Sequence, residues 1–450
     1  MPVINRHEEG HTLPNMLLGR AQDREILRLA VPAFLALVAE PLFLLTDSAI
    51  VGHLGTSQLA GLGVAGAVLT TLISLCIFLA YGTTAAVARR LGAGDLRGAL
   101  AHGVDGIWLA VGIGAVITIA GLLGTPWLVG LFDVVPATAH QAETYLRIGI
   151  TGAVPLLVML ATTGILRGLQ DTRTPLVVAV VGNLANVALN LWLVYGLGLG
   201  IGGSALGTVV AQVGSAAALL VVVLRAARRY GVPLRPTLSG VRGAGAAGVP
   251  LLLRTVTLRA SLLIMTYAAA SLGDADLAAM QIAMTVWTFL AYSLDAIAIA
   301  AQAITGRYLG AGDLDGARAL TRRMLRWGLG AGVVTGLALA VVAPFLGPLF
   351  TPDAGVRDLL VGALLVAAAA QPLAGVVFVL DGVLIGAGDG TYLAKVGVLV
   401  LLAFAPAAWW ATAGGGTLVW LWAAFAVAFM GGRCVVLVAR ERTTAWMTVG

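Results

Sequence analysis

Two carboxylates inside one apolar stretch are the first candidates for chemistry. Glu40 and Asp47 lie in Val38-Ala-Glu-Pro-Leu-Phe-Leu-Leu-Thr-Asp-Ser-Ala-Ile-Val-Gly-His53. A charged side chain at the centre of a membrane helix costs ~2.5–3.5 kcal/mol on insertion scales, so such an acid points to ion or proton traffic. Amides recur nearby in type and spacing. Asn183, Asn186 and Asn190 lie in one apolar run, and the last two are i, i+4 neighbours on a helix face. An acid desolvated among amides is suited to picking up and releasing protons. A second polar set comprises Arg254, Arg259, Gln281, Asp295, Gln302 and Asp381. Arg254, four residues past Pro250, is expected to snorkel to the membrane surface. The deeper Arg259 needs a carboxylate, with Asp295 and Asp381 as candidates. Glu40, Asn183, Gln281, Arg259 and Asp295 are therefore candidate residues of a substrate cavity. The competing role for each is structural, as hydrogen bonds or ion pairs joining membrane helices.

The elements that position these groups follow from composition. Of 450 residues, 59 % are hydrophobic and 11 % charged, against about 25 % charged in an ordinary globular domain. Mean hydropathy is +0.97. A soluble enzyme, a disulfide-rich module and a disordered chain are excluded. Apolar runs of about 20 residues, enough to cross a bilayer as helices, begin near Ile26, Leu59, Gly98, Ala142, Pro175, Gly203, Val249, Leu277, Leu325, Asp358, Leu393 and Thr417. The reading is an all-α integral membrane protein of twelve transmembrane helices.

A net charge of +6 would point to nucleic acid in a soluble protein, but the positions of the arginines argue otherwise. They crowd into alternate gaps, as at Arg89, Arg90 and Arg97, or at Arg318, Arg322, Arg323 and Arg326, and the C-terminal end has Arg433, Arg440 and Arg442. The positive-inside rule then places both termini in the cytoplasm. No apolar leader precedes the first run, so no cleavable signal peptide is expected. The expected organisation is a cytoplasmic N-terminal segment (1–25), a first lobe (26–224), a cytoplasmic linker (225–248), a second lobe (249–438) and a cytoplasmic tail (439–450).

The two lobes are copies of one unit. Leu91-Gly-Ala-Gly-Asp-Leu-Arg-Gly-Ala99 recurs as Leu309-Gly-Ala-Gly-Asp-Leu-Asp-Gly-Ala317, an offset of 218 residues. The same offset carries Pro32 onto Pro250 and Pro126 onto Pro344. Two six-helix halves follow, related by a pseudo-two-fold axis along the membrane normal, a plan recurrent in secondary transporters. The acids break the symmetry: Asp47 maps onto Met265, Glu40 onto Leu258, Asn186 onto Phe404 and Asn190 onto Ala408. With Pro32 at the cytoplasmic entry, Asp47 lies about 22 Å further along the helix, in the outer half of the membrane. Pro32 and Pro41 make this helix easy to bend.

Other chemistries lack their residues. A P-loop needs Lys followed by Ser or Thr, and the single lysine, Lys395, precedes Val396. The five histidines form no HExxH and the two cysteines no CxxC, so no metal site is expected. A membrane-embedded enzyme of the DDxxD type lacks its clustered acids.

Thr46-Asp-Ser-Ala-Ile-Val-Gly-His53, the duplicated LGAGD, Gly168-Leu-Gln-Asp-Thr-Arg-Thr-Pro175 and the Asn186/Asn190 pair together resemble the multidrug and toxic compound extrusion (MATE) family, and most of all its DinF-like branch. The resemblance implies a monomeric antiporter of the inner (plasma) membrane with no cofactor. It would export small organic compounds, cationic or amphipathic, in exchange for H⁺ or Na⁺, without nucleic-acid partners. It implies that Asp47 is the coupling residue, with Asn186, Asn190 and Thr208 as polar neighbours. Some relatives carry a second Asp where this chain has Asn190. The acids associated with Na⁺ coupling in another branch are missing apart from Asp381, which favours H⁺. The alternative within the superfamily is a lipid-linked saccharide flippase, which requires a larger and more cationic cavity.

Overall fold

The computed structural model describes residues 12–448, with side chains from Gln22 onward. The outermost parts of the expected N-terminal segment and C-terminal tail, residues 1–11 and 449–450, lie outside the described residues. Twelve helices are long and apolar enough to cross a membrane. In chain order they are α1 (Gln22–Gly52), α2 (Thr56–Gly92), α3 (Leu96–Gly130), α4 (Pro136–Gly168), α5 (Arg173–Gly196) and α6 (Gly200–Arg229). The second half contains α7 (Leu238–Ala270), α8 (Asp274–Gly310), α9 (Leu314–Phe350), α10 (Ala354–Gly386), α11 (Gly390–Thr412) and α12 (Leu418–Glu441). Lipid offers no hydrogen-bond partner to the backbone, which is why each crossing closes its own bonds as a helix.

The helices outrun the hydrocarbon, and this alters the connection between the halves. α6 continues through Arg228 and Arg229 and α7 begins at Leu238, so the polar stretch 225–248 is mostly helical and only residues 230–237 join the lobes. The arginines end α6 because cations suit a helix C-terminus. Thr237 starts α7 by accepting a bond from Gly240 N at 3.2 Å.

The duplicated LGAGD is a pair of helix junctions. Asp95 and Asp313 cap α3 and α9, accepting from Gly98 N at 2.7 Å and Gly316 N at 2.8 Å. Gly94 and Gly312 supply the left-handed turn before each cap, with φ of 77° and 75°, a conformation glycine adopts without penalty.

Packing repeats with the sequence. α2, α3 and α4 form one nest and α8, α9 and α10 its counterpart, while α5 and α6 correspond to α11 and α12. The first helix of each half leaves its own nest. α1 packs on α5 and also on α8; α7 packs on α11 and also on α2 and α3. α1 is thereby shared along its length. Ala33, with Phe34 and Leu37 beside it, meets Ala296 and Ile299 of α8, whereas Val51 joins the first-lobe cluster of Leu62, Ala65 and Leu146. Pro41 lies between these attachments and Pro32 immediately before the first, both within the helix. Pro32 donates no bond to Arg28 O, which instead accepts from Thr172 Oγ1 at 3.5 Å.

The arginine-bearing ends of the helices, hereafter the basic face, are where the lobes close. A Cβ on Gly92 would collide with Arg307 O, and one on Gly310 with Arg89 O, so α2 and α8 touch backbone to backbone. Arg89 reaches across to Ala387 O at 2.5 Å, Gln170 Nε2 donates to Ala303 O at 3.0 Å, and Gln302 Nε2 donates to Tyr81 O at 2.5 Å. Each crossing helix is also strapped to the opposite lobe near the basic face. On α1, Asp23 accepts from Arg323 Nε at 2.7 Å, Arg323 Nη2 at 2.5 Å and Trp327 Nε1 at 2.8 Å, all on α9. Glu25 pairs with Arg307. At α7, Asp105 of α3 accepts from Thr237 N at 2.8 Å and Thr237 Oγ1 at 3.0 Å. Asp105 and Arg323 are equivalent positions under the 218-residue offset. One repeat position thus anchors a crossing helix in both halves, as an acid in the first and a base in the second.

Candidate functional site

Asp47 is buried near the far end of α1, only 4 % exposed. Three helices supply its partners. Asn190 Nδ2 of α5 donates to Oδ1 at 2.6 Å, Ser204 Oγ of α6 donates to Oδ1 at 2.8 Å, and Tyr145 OH of α4 donates to Oδ2 at 3.5 Å. Nearby, Tyr195 OH donates to Ile50 O at 2.6 Å and Asn183 Nδ2 to Ala39 O at 3.3 Å, fastening α1 to α5. Local sequence explains the fit. Gly207 lacks the Cβ that would run into Asn190 Oδ1, and α5 ends in a π-helical turn at Trp192–Gly196 immediately after Asn190. Such turns often mark functional positions within helices.

The cluster holds more acceptors than donors. Asn186 Oδ1, Asn190 Oδ1, Thr208 Oγ1 and Gln212 Oε1 are buried without a hydrogen-bond partner among the described residues. Thr208 and Gln212 border, with Tyr145, a small cavity of about 40 Å³. Buried polar groups left open are costly; three of the four are amide oxygens that can only accept, and Thr208 is the single hydroxyl among them.

The symmetric position in the second lobe is dry. Met265, Phe404, Ala408 and Trp422 replace Asp47, Asn186, Asn190 and Ser204, and Phe404, Trp422 and Phe425 fill the space edge to face, with centroids 5.5–6.3 Å apart. One fold thus carries a polar cluster in one lobe and an aromatic plug in the other.

A second site lies near the middle of α8, between the lobes. A cavity of about 280 Å³ is walled by Tyr81 of α2, Arg254 and Arg259 of α7, Tyr292 and Asp295 of α8, and Asp381 of α10. The Gln302–Tyr81 contact closes it toward the basic face. Here the structure corrects three expectations. Arg254 does not snorkel: Nη2 meets Asp381 Oδ2 at 2.5 Å with both side chains buried. Arg433, grouped by sequence with the tail arginines, lies inside α12 against the same carboxylate. With Asp381 engaged twice, Arg259 is left exposed to the cavity and has no ion pair among the described residues. The reason is geometric. α7, α10 and α12 converge at Asp381, and two nearby guanidiniums offset its burial better than one.

The remaining candidates separate. Asp295 and Arg259 line this cavity. Glu40 is exposed on α1 and, with Asp295 and Arg259, is close enough to Tyr292 to interact electrostatically. Asn183 belongs with α1–α5 packing, and Gln281 is exposed on α8, about 21 Å along the helix from Asp295 and outside the cavity wall.

Comparison with known proteins decides the family. The family model MatE matches residues 32–192 and again 250–410, two segments separated by the same 218 residues as the repeat. The chain belongs to the MATE family. Protein DETOXIFICATION 44, chloroplastic, of Arabidopsis thaliana is 32 % identical over 89 % of this chain and 78 % of its own length. DNA damage-inducible protein F of Escherichia coli K12 is 32 % identical over 65 % of each. Among solved structures, MATE in the bent conformation superposes with a TM-score of 0.87 at 22 % identity, covering 96 % of this chain and 97 % of that one. This MATE protein is therefore a multi-pass membrane transporter and not an enzyme.

Two residues of the Asp47 cluster escaped the sequence reading. Ser204 lies one helical turn before Thr208 on α6, so extending the polar face by i−4 would have found it. Tyr145 had no local signal, because α4 brings it to Asp47 from 98 residues away.

Proposed function

We propose that this MATE protein is a secondary active exporter of small organic compounds in which Asp47 couples transport to inward proton flow. The carrying observation is the Asp47 cluster: a buried carboxylate on a lobe-sharing helix, facing acceptors that lack donors. A proton on Asp47 supplies the missing donor, and Asn190 Oδ1 or Thr208 Oγ1 can take it. Protonation removes the charge that Asn190, Ser204 and Tyr145 hold in place, loosening the outer half of α1 from the first lobe. Bending at Pro41 or Pro32 then carries the change along α1 to its attachment on α8 and α9. Asn186 completes the polar lining and carries no charge.

The central cavity is the substrate site in this scheme, and the basic-face closure is one end of an alternating-access cycle. At about 280 Å³ it suits a small amphipathic compound and is too small for a lipid-linked saccharide. The charge asymmetry of the loops supports both termini being cytoplasmic, so closure at the basic face makes this an outward-facing state; in this scheme the protein works as a monomer in the plasma membrane.

The test uses proteoliposomes with an imposed pH gradient and a panel of fluorescent organic compounds. Asp47→Asn is near-isosteric and should fold while losing uphill export. Gradient-driven export by Asp47→Asn equal to wild type would overturn the mechanism. Export driven by a Na⁺ gradient alone would replace H⁺ with Na⁺ as the coupling ion.

A further inference from the structure

We propose that the cavity between the lobes binds an organic anion, a carboxylate-bearing compound received by Arg259; this rests on reading that cavity as the substrate site. The charges on its walls do not balance. Arg254 and Arg433 share the single carboxylate Asp381. Asp295 is the other carboxylate on the wall. Arg259 faces the cavity without an ion pair among the described residues. Three guanidiniums, Arg254, Arg259 and Arg433, thus face two carboxylates, Asp295 and Asp381, on its walls.

The unmet valence has a definite place. Arg259 lines the cavity at an exposed position with no ion pair among the described residues, and a carboxylate is the planar two-oxygen group that matches a guanidinium's geometry. Tyr81, Thr288 and Tyr292 offer hydroxyls, and Leu258, Leu262 and Phe378 offer apolar surface for the ligand's body.

These charges are not a by-product of the duplication. Under the repeat offset Arg254, Arg259, Asp295, Asp381 and Arg433 correspond to Ala36, Pro41, Ile77, Thr163 and Ser215. The first lobe folds the same way without them, so the scaffold does not require them. An anionic or zwitterionic ligand departs from the expectation of cationic substrates.

The probes are 1-naphthoate, the neutral 1-naphthamide and the cationic 1-naphthylmethylammonium. Their binding to the purified full chain in neutral-lipid nanodiscs is measured by calorimetry. Naphthoate should bind about tenfold tighter than the amide, the scale of one charge-assisted pair, and the ammonium most weakly. Arg259→Gln, at an exposed position with no ion pair to lose, should bring acid and amide within about twofold, while Arg259→Lys keeps the preference. No binding of naphthoate, equal binding of acid and amide, or a preference that survives Arg259→Gln overturns the proposal. Asp47→Asn should bind naphthoate as wild type does. A lost acid preference with intact Asp47-dependent export removes the anion site alone, whereas Asp47-independent export with the preference intact removes the coupling mechanism alone.

Discussion

Breaking the strap between α1 and α9 should open the basic face by an amount that follows from its exposure and bonding. Asp23 and Arg323 are 24 % and 32 % exposed at their side chains, and the carboxylate takes two bonds from the guanidinium and one from Trp327. Fully exposed pairs contribute ~0.2–1 kcal/mol, whereas removing one partner of a buried pair costs ~3–5 kcal/mol. Asp23→Asn falls between these limits, because it loses the charge but keeps one oxygen for Trp327 or Arg323. The lost charge should shift the ratio of closed to open molecules by a few fold, as for a largely exposed pair. The readout is the distance between spin labels at Ala93→Cys and Ala311→Cys, exposed positions at the ends of α2 and α8, with Cys76 and Cys434 replaced by Ala. Longer distances should gain population in Asp23→Asn and equally in Arg323→Gln, and the double variant should add little. Unchanged distributions in both single variants would refute the role of the strap. So would an effect of Arg323→Gln that adds fully to that of Asp23→Asn, since independent effects cannot belong to one pair.

Three further outcomes follow. Gly310→Ala places a Cβ against Arg89 O and should lengthen the same spin-label distance, whereas Gly63→Ala, with no neighbour near its Cβ, should leave it unchanged. Asp381→Ala leaves Arg254 and Arg433 buried without their carboxylate and should lower unfolding stability by ~3–5 kcal/mol, read as a drop in thermal midpoint. Adding Arg433→Met to Asp381→Ala should recover part of that loss, and no recovery would mean the penalty does not come from uncompensated charge.

The sequence by itself determined the class, the count of helices, the duplication and the acid worth testing. These are matters of composition, period and asymmetry, which a chain displays without folding. Hydropathy marks every crossing because lipid demands continuous apolar helices. The 218-residue offset is visible because both copies kept their caps and prolines, and Asp47 stands out because its counterpart is Met265. Tertiary structure decided which groups meet. Arg254 and Arg433 are 179 residues apart in sequence yet share Asp381, so neither a snorkelling rule nor a count of terminal arginines places them. Tyr145 and Ser204 reach Asp47 only because α4 and α6 pack beside the half of α1 far from the basic face. The division of α1 between two lobes, with a strap at one end and the acid at the other, is equally invisible in one helix's sequence. A helix records which residues lie on its own faces; which neighbour each face meets depends on the packing of all twelve.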